Sequence, residues 1–113
     1  MEKELIIYTC LTGFAYDAME EARKAGARGG TILHGRSSIK EDKKSILGLR
    51  LSTEKDCLLI VSLAEDKHKI MNAINAKYGL KSEARGLLFS MKVDDTLGMN
   101  FHSNIKDLTE VVV

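Results

Sequence analysis

The chain of 113 residues contains no proline, no tryptophan and only two cysteines. Neither Cys10 nor Cys57 stands in a CxxC pair or a Cys/His cluster, which argues against a zinc site and a disulfide framework. Both lie in apolar runs, where a free cysteine acts as a small buried hydrophobe. The lack of proline carries no functional consequence. Charge of one sign is also missing, with 17 Lys plus Arg against 16 Asp plus Glu. A nucleic-acid binder ordinarily shows a clear basic excess, so no nucleic-acid partner is expected. No apolar run approaches the ~18 to 20 residues needed to span a bilayer. The opening MEKELIIYTCL mixes charge with apolar residues and lacks the uninterrupted core of a signal peptide, so a cytoplasmic protein is expected. There is no P-loop, GxGxxG or GxSxG motif, and His34, His68 and His102 are dispersed without ligand spacing.

What is present is ordinary for one soluble globular domain: 44% hydrophobic and 29% charged residues. A chain this short buries only roughly 65% of its unfolded surface, so an oligomer interface would add stability. Glu4 to Leu11 (ELIIYTCL) predicts a buried strand. Thr12 is placed to cap the helix that follows over Phe14 to Ala25. Its Ala15, Ala18, Met19, Ala22 and Ala25 recur at helical spacing and form a narrow small-residue face. Gly26 ends it, and Gly29-Gly30 breaks the chain before a strand over Thr31 to Ser37.

A long mixed-charge loop follows over about residues 37–53, and Ile46, Leu47, Leu49 and Leu51 are candidates to extend the next strand. Cys57 to Leu63 (CLLIVSL) predicts a central strand. Ser62-x-x-Glu65 has the capping-box pattern, with a start one or two residues later equally open. The second helix buries Ile70, Met71, Ala73, Ile74 and Tyr78 and stops at Gly79. Lys81 to Arg85 is a polar loop, and Gly86 opens a last strand, LLFSMKV, ending at Asp94-Asp95. The domain thus covers residues 1–95, with a tail over 96–113.

The order β-α-β-β-α-β points to an α+β ferredoxin-like sandwich: a four-stranded antiparallel sheet with both helices on one face. In this reading strands one and three are parallel central neighbours, which sets Cys10 and Cys57 roughly 15 to 20 Å apart. The second sheet face has no helix over it. Because ELIIYTCL and CLLIVSL carry apolar groups on both faces, an oligomer is expected.

Two places suit anions. Gly29-Gly30-Thr31 with Gly35-Arg36-Ser37-Ser38 offers close backbone approach, a forked guanidinium and hydroxyls. Arg85-Gly86 offers backbone N–H groups for an anion nest. At both places a turn glycine beside a solvated arginine is the plainer reading. Asp94-Asp95 reads more simply as a solvated turn than as a cation site, and His34 as either structural or ligand-facing.

AMEEARKAGARGGTILHGR, the charged loop, CLLIVSL, KIMNAI and RGLLFSMKVDDTLGM together resemble the nitrogen-regulatory PII signal-transduction family, in its PII-like branch. The resemblance spans about Leu5 to Gly98. It implies a non-enzymatic homotrimer with its sheets turned inward. It also implies a small-molecule effector, commonly an adenine nucleotide, held between subunits. Gly30 and Thr31 match the strand-two contacts, Gly35 and Arg36 the start of the mobile T-loop, and Arg85 and Gly86 the B-loop, with Ser37 a further candidate contact beside Arg36. The loop would signal to a target protein, which in this family can be a membrane transporter. The chain departs from the family in a shorter loop without tyrosine, one glycine in KSEARG, and MNFHSNIKD in place of an arginine pair. Two other readings stay open. One is a trimer binding a divalent metal or other small ligand, as in the related divalent-cation tolerance proteins. The other is an acylphosphatase-like enzyme using an arginine.

Overall fold

The computed structural model describes residues 2–37, 45–46, 49–50 and 53–99. Along the chain they form β1 (Lys3–Leu11), α1 (Ala15–Lys24), β2 (Thr31–Ser37), β3 (Ser45–Ile46), β4 (Leu49–Arg50), β5 (Thr53–Leu63), α2 (Lys67–Tyr78) and β6 (Leu87–Val93). Among the described residues β3 and β4 pair with each other and with no other strand, so Ile46 and Leu49 form a separate ribbon instead of extending β5. Leu47 and Leu51, and the tail from residue 100, lie outside the described residues.

The main sheet has the order β2-β5-β1-β6, and every neighbouring pair is antiparallel. This is the ferredoxin-like arrangement, with one correction. β1 and β5 are central neighbours but run antiparallel, not parallel. The crossover through α1 carries the chain back to a β2 parallel to β1 but one strand away. The return from β2 reverses direction and fills the gap, so β5 opposes both. The register pairs Thr9 with Cys57 and Cys10 with Asp56. The two cysteines are therefore cross-strand neighbours, not distant residues. Period-two alternation still sends them to opposite faces: Cys10 is buried under the helices, and Cys57 is half-buried on the open face.

The core lies between the sheet and the helices. Ile6, Tyr8, Cys10, Leu58 and Ile60 come from the sheet, Ala15, Ala18, Met19 and Ala22 from α1, and Ile70 and Ile74 from α2. The alanine face lets α1 sit close to the sheet: a Cβ on Gly30 would stand 2.9 Å from both Leu58 Cδ1 and Met19 Sδ. Phe14 and Tyr78 join the two helices with ring centroids 6.2 Å apart, and Glu21 Oε2 pairs with Lys24 and Lys77 Nζ at 3.2 and 3.4 Å. Lys67 of α2 reaches buried Glu4 of β1 at 3.3 Å.

Neither expected helix cap forms. Phe14, not Thr12, precedes α1, and the Gly13 N–H instead donates to Asp56 Oδ2 at 3.1 Å. Ser62 is buried and bonds the Leu63 carbonyl, and α2 starts at Lys67 after a short 3₁₀ turn. The open face carries Leu5, Ile7, Leu59 and Val61 half-buried, beside exposed Leu33, Leu87, Phe89 and Met91. No described helix is long and apolar enough to cross a membrane.

Candidate functional site

The end of the sheet from which the 37–53 loop leaves is built by three strand positions. Cross-strand pairs Gly35–Lys55 and Arg36–Glu54 join β2 to β5, and Leu11 lies next to Lys55 on β1. Alternation puts His34 and Arg36 toward the helix side, and Gly35 and Ser37 toward the open side. Two clefts result. One of about 320 Å³ is lined by Thr9, Gly35, Arg36, Ser37, Lys55, Asp56 and Cys57. The other, of about 370 Å³, is lined by Thr12, His34, Gly35, Arg36, Glu54 and Lys55. A Cβ on Gly35 would meet nothing within 4 Å, so a ligand can approach the backbone there.

The predicted residues do not converge within one chain. Gly35, Arg36 and Ser37 meet in the 320 Å³ cleft. Thr31 is four residues back along β2, about 13 Å away by strand rise. Gly30 is needed for helix–sheet packing, as its contacts with Leu58 and Met19 show. Arg85 and Gly86 precede the opposite edge strand, three inter-strand spacings or about 14 Å from Gly35.

The anion nest expected at Arg85-Gly86 is not formed. Gly86 N–H donates to the Gly79 carbonyl at 3.0 Å and Arg85 N–H to the Ser82 carbonyl at 3.1 Å. Gly86 is buried, and a side chain there would run into the Tyr78 carbonyl and the Tyr8 ring. Packing thus accounts for this glycine. Arg85 is exposed and holds φ at 51°, a left-handed backbone in a residue with a side chain.

Lys55 and Asp56 were not among the expected site residues. Their signal was a lysine and a carboxylate at the mouth of the apolar run CLLIVSL. Asp56 is buried, and its Oδ1 lies 2.6 Å from His34 Nδ1. Among the described residues, no group of three His, Cys, Asp or Glu is placed to hold a metal ion.

Solved structures similar to this architecture include three PII proteins. B. subtilis GlnK in complex with ATP superposes with a TM-score of 0.65 at 15% identity, covering 86% of each chain. Arabidopsis thaliana PII bound to citrate gives 0.62 at 18%, covering 84% of this chain and 78% of that one. A PII-like signalling protein from Thermus thermophilus gives 0.58 at 16%, covering 82% and 89%. The chain has the PII fold. No family model and no curated protein sequence matches it. Within the PII fold, the 320 Å³ cleft lies at the root of the loop that joins β2 to β5.

Proposed function

We propose that this protein is a cytoplasmic, non-enzymatic PII-like regulator, in which a homotrimer holds an anionic effector of the nucleotide type between subunits. The observation that carries this reading is the cleft of Gly35, Arg36, Ser37 and Lys55 at the root of the 37–53 loop. Arg36 supplies a fork for phosphate oxygens, Lys55 a second cation, and Gly35 an open backbone. The trimer reading rests on the uncovered apolar face of the sheet. A neighbouring subunit is also what would bring an Arg85 edge to an Arg36 edge, which one chain keeps apart. GlnK has been solved with ATP and a plant PII with citrate, so this fold accommodates both a nucleotide and a polycarboxylate. Ligand bound at the loop root would favour one loop arrangement over another and change docking to a partner protein, in the nitrogen-regulatory manner. A membrane transporter is one such partner.

Calorimetric titration with ATP, ADP, AMP and cyclic dinucleotides tests the reading. One of them binds the wild type, and Arg36→Ala weakens it about tenfold or more, the loss of a charge-assisted hydrogen bond. Absence of heat from all of them, with the trimer intact, removes the nucleotide from the proposal. The divalent-metal alternative has no ligand cluster among the described residues to rest on.

A further inference from the structure

The 370 Å³ cleft on the helix side of the loop root is unused by the reading above. Its wall contains an arrangement that solvated surface residues do not need. Asp56 is only 4% exposed in its side chain, yet His34, its partner, is 73% exposed. Both carboxylate oxygens are engaged, Oδ1 with His34 Nδ1 and Oδ2 with the Gly13 N–H. A carboxylate accepts, so the imidazole donates through Nδ1, and its orientation is fixed from behind. Nε2 is then the free end of the ring, on the exposed side that lines the cleft.

The cleft's other groups decide what Nε2 would meet. Arg36 brings one cation, Thr12 a hydroxyl and Glu54 one carboxylate, while Lys55, paired with Gly35, turns its side chain to the open face. Among the described residues, no side-chain hydrogen bond or ion pair engages the Arg36 guanidinium. The guanidinium disfavours a metal ion. It favours a small oxyanion that carries a hydroxyl, such as hydrogen phosphate, whose OH donates to Nε2 while its other oxygens accept from Arg36. The cleft is also on the opposite side of the sheet from the apolar face, so it stays open when that face is covered.

We propose that His34, held by Asp56, forms with Arg36 and Thr12 a second binding site for a small oxyanion that carries a hydroxyl, a hydrogen phosphate group. Arg36 lines both clefts. One guanidinium forks to one anion at a time, so occupancy of the helix-side site withdraws Arg36 from the nucleotide cleft. The two ligands are antagonists. Because Asp56 also holds Gly13, the same anion bears on the β1–α1 turn.

The test follows the His34 ring resonances by NMR while inorganic phosphate is added to the full chain. His68, on the polar side of α2, is the internal control. The expected result is a saturable shift of the His34 signals with little change at His68. His34→Gln abolishes saturable phosphate binding, and Asp56→Asn weakens it about tenfold, since a charged partner of the ring is lost. Phosphate also weakens ATP binding in the wild type and not in His34→Gln. An unmoved His34 signal, a shift shared equally with His68, or wild-type phosphate affinity in His34→Gln each overturns the proposal and leaves the dyad a structural latch only. The NMR titration needs no variant, so a substitution that impairs folding does not stop the test. If ATP gives no heat while phosphate moves His34, the oxyanion site stands and the nucleotide reading falls. If ATP binds and phosphate does not, the reverse holds.

Discussion

Gly35 and Gly86 look alike in the sequence, each a glycine beside an arginine at a strand end, and the structure gives them opposite meanings. A side chain at position 86 would collide with the Tyr78 carbonyl and the Tyr8 ring, whereas one at position 35 would meet nothing. Gly86→Ala is therefore expected to destabilise by about 1 to 3 kcal/mol, and Gly35→Ala to stay within about 0.5 kcal/mol, by urea unfolding. Sequence could not separate them, because the difference lies in what Tyr8, seventy-odd positions away, does with the space. The Tyr8 hydroxyl donates to the Tyr78 carbonyl at 2.8 Å. Burial, with smaller contributions from Cys10 and Tyr78, pushes the Tyr8 phenol well above its ordinary value, and burial likewise raises the Cys10 thiol. Each group keeps its proton in the folded chain at a pH where the unfolded chain has released it. Their contribution is complete below the ordinary values of 9.0 and 10.0, and is lost as pH rises through the folded ones. Unfolding midpoints should accordingly fall from about pH 9 upward and more steeply above about pH 10. Tyr8→Phe should flatten the steeper limb while lowering stability at neutral pH by about 1 kcal/mol. An unchanged slope in that variant would disprove the assignment.

At the scale of elements, periodicity was a good guide and end-chemistry a poor one. The spacing of Ala15, Ala18, Met19 and Ala22 located α1 and its buried face, and LLFSMKV is β6 from end to end. Those signals are local, and local signals survive in a sequence. The caps failed because a distant group won. The turn before α1 is held by Asp56, 43 residues away, and not by the adjacent Thr12. Ser62 was drawn into the sheet's buried row before it could cap α2. The alanine face has a direct consequence. Ala22 is fully buried between α1 and the sheet, so Ala22→Leu should lift the helix and cost about 1 to 3 kcal/mol. Urea unfolding measures the loss, and far-ultraviolet circular dichroism checks that the helices themselves persist.

For the whole molecule, the strand order is legible in the order of elements and the strand polarity is not. The order of elements places β5 between β1 and β2. Its direction follows only when the return from β2 is traced, and that step turns two supposedly distant cysteines into neighbours. An oligomer is expected for a different reason: strands apolar on both sides need cover on both sides, and helices supply only one. Phe89 and Leu33 are exposed on that bare face. Phe89→Asp is expected to shift sedimentation from trimer to monomer and to make thermal unfolding independent of protein concentration, as mass action requires. A wild-type chain that sediments as a monomer would refute the assembly directly. The cleft at the loop root was half legible. Arg36 and its glycine stand together in sequence, but Lys55, Asp56 and Thr9 arrive from other strands, through pairings that no single segment encodes.

The cross-strand pairing of Thr9 with Cys57 makes the two thiols a built-in witness to folding quality. With Cys10 on one face and Cys57 on the other, no oxidant can bridge them while the native pairing holds. A slip of one residue between β1 and β5 would turn both onto the same face and bring them into bridging range. Any intramolecular disulfide found after mild oxidation therefore counts chains that mispaired or opened, and its yield measures fidelity of strand alignment without a label.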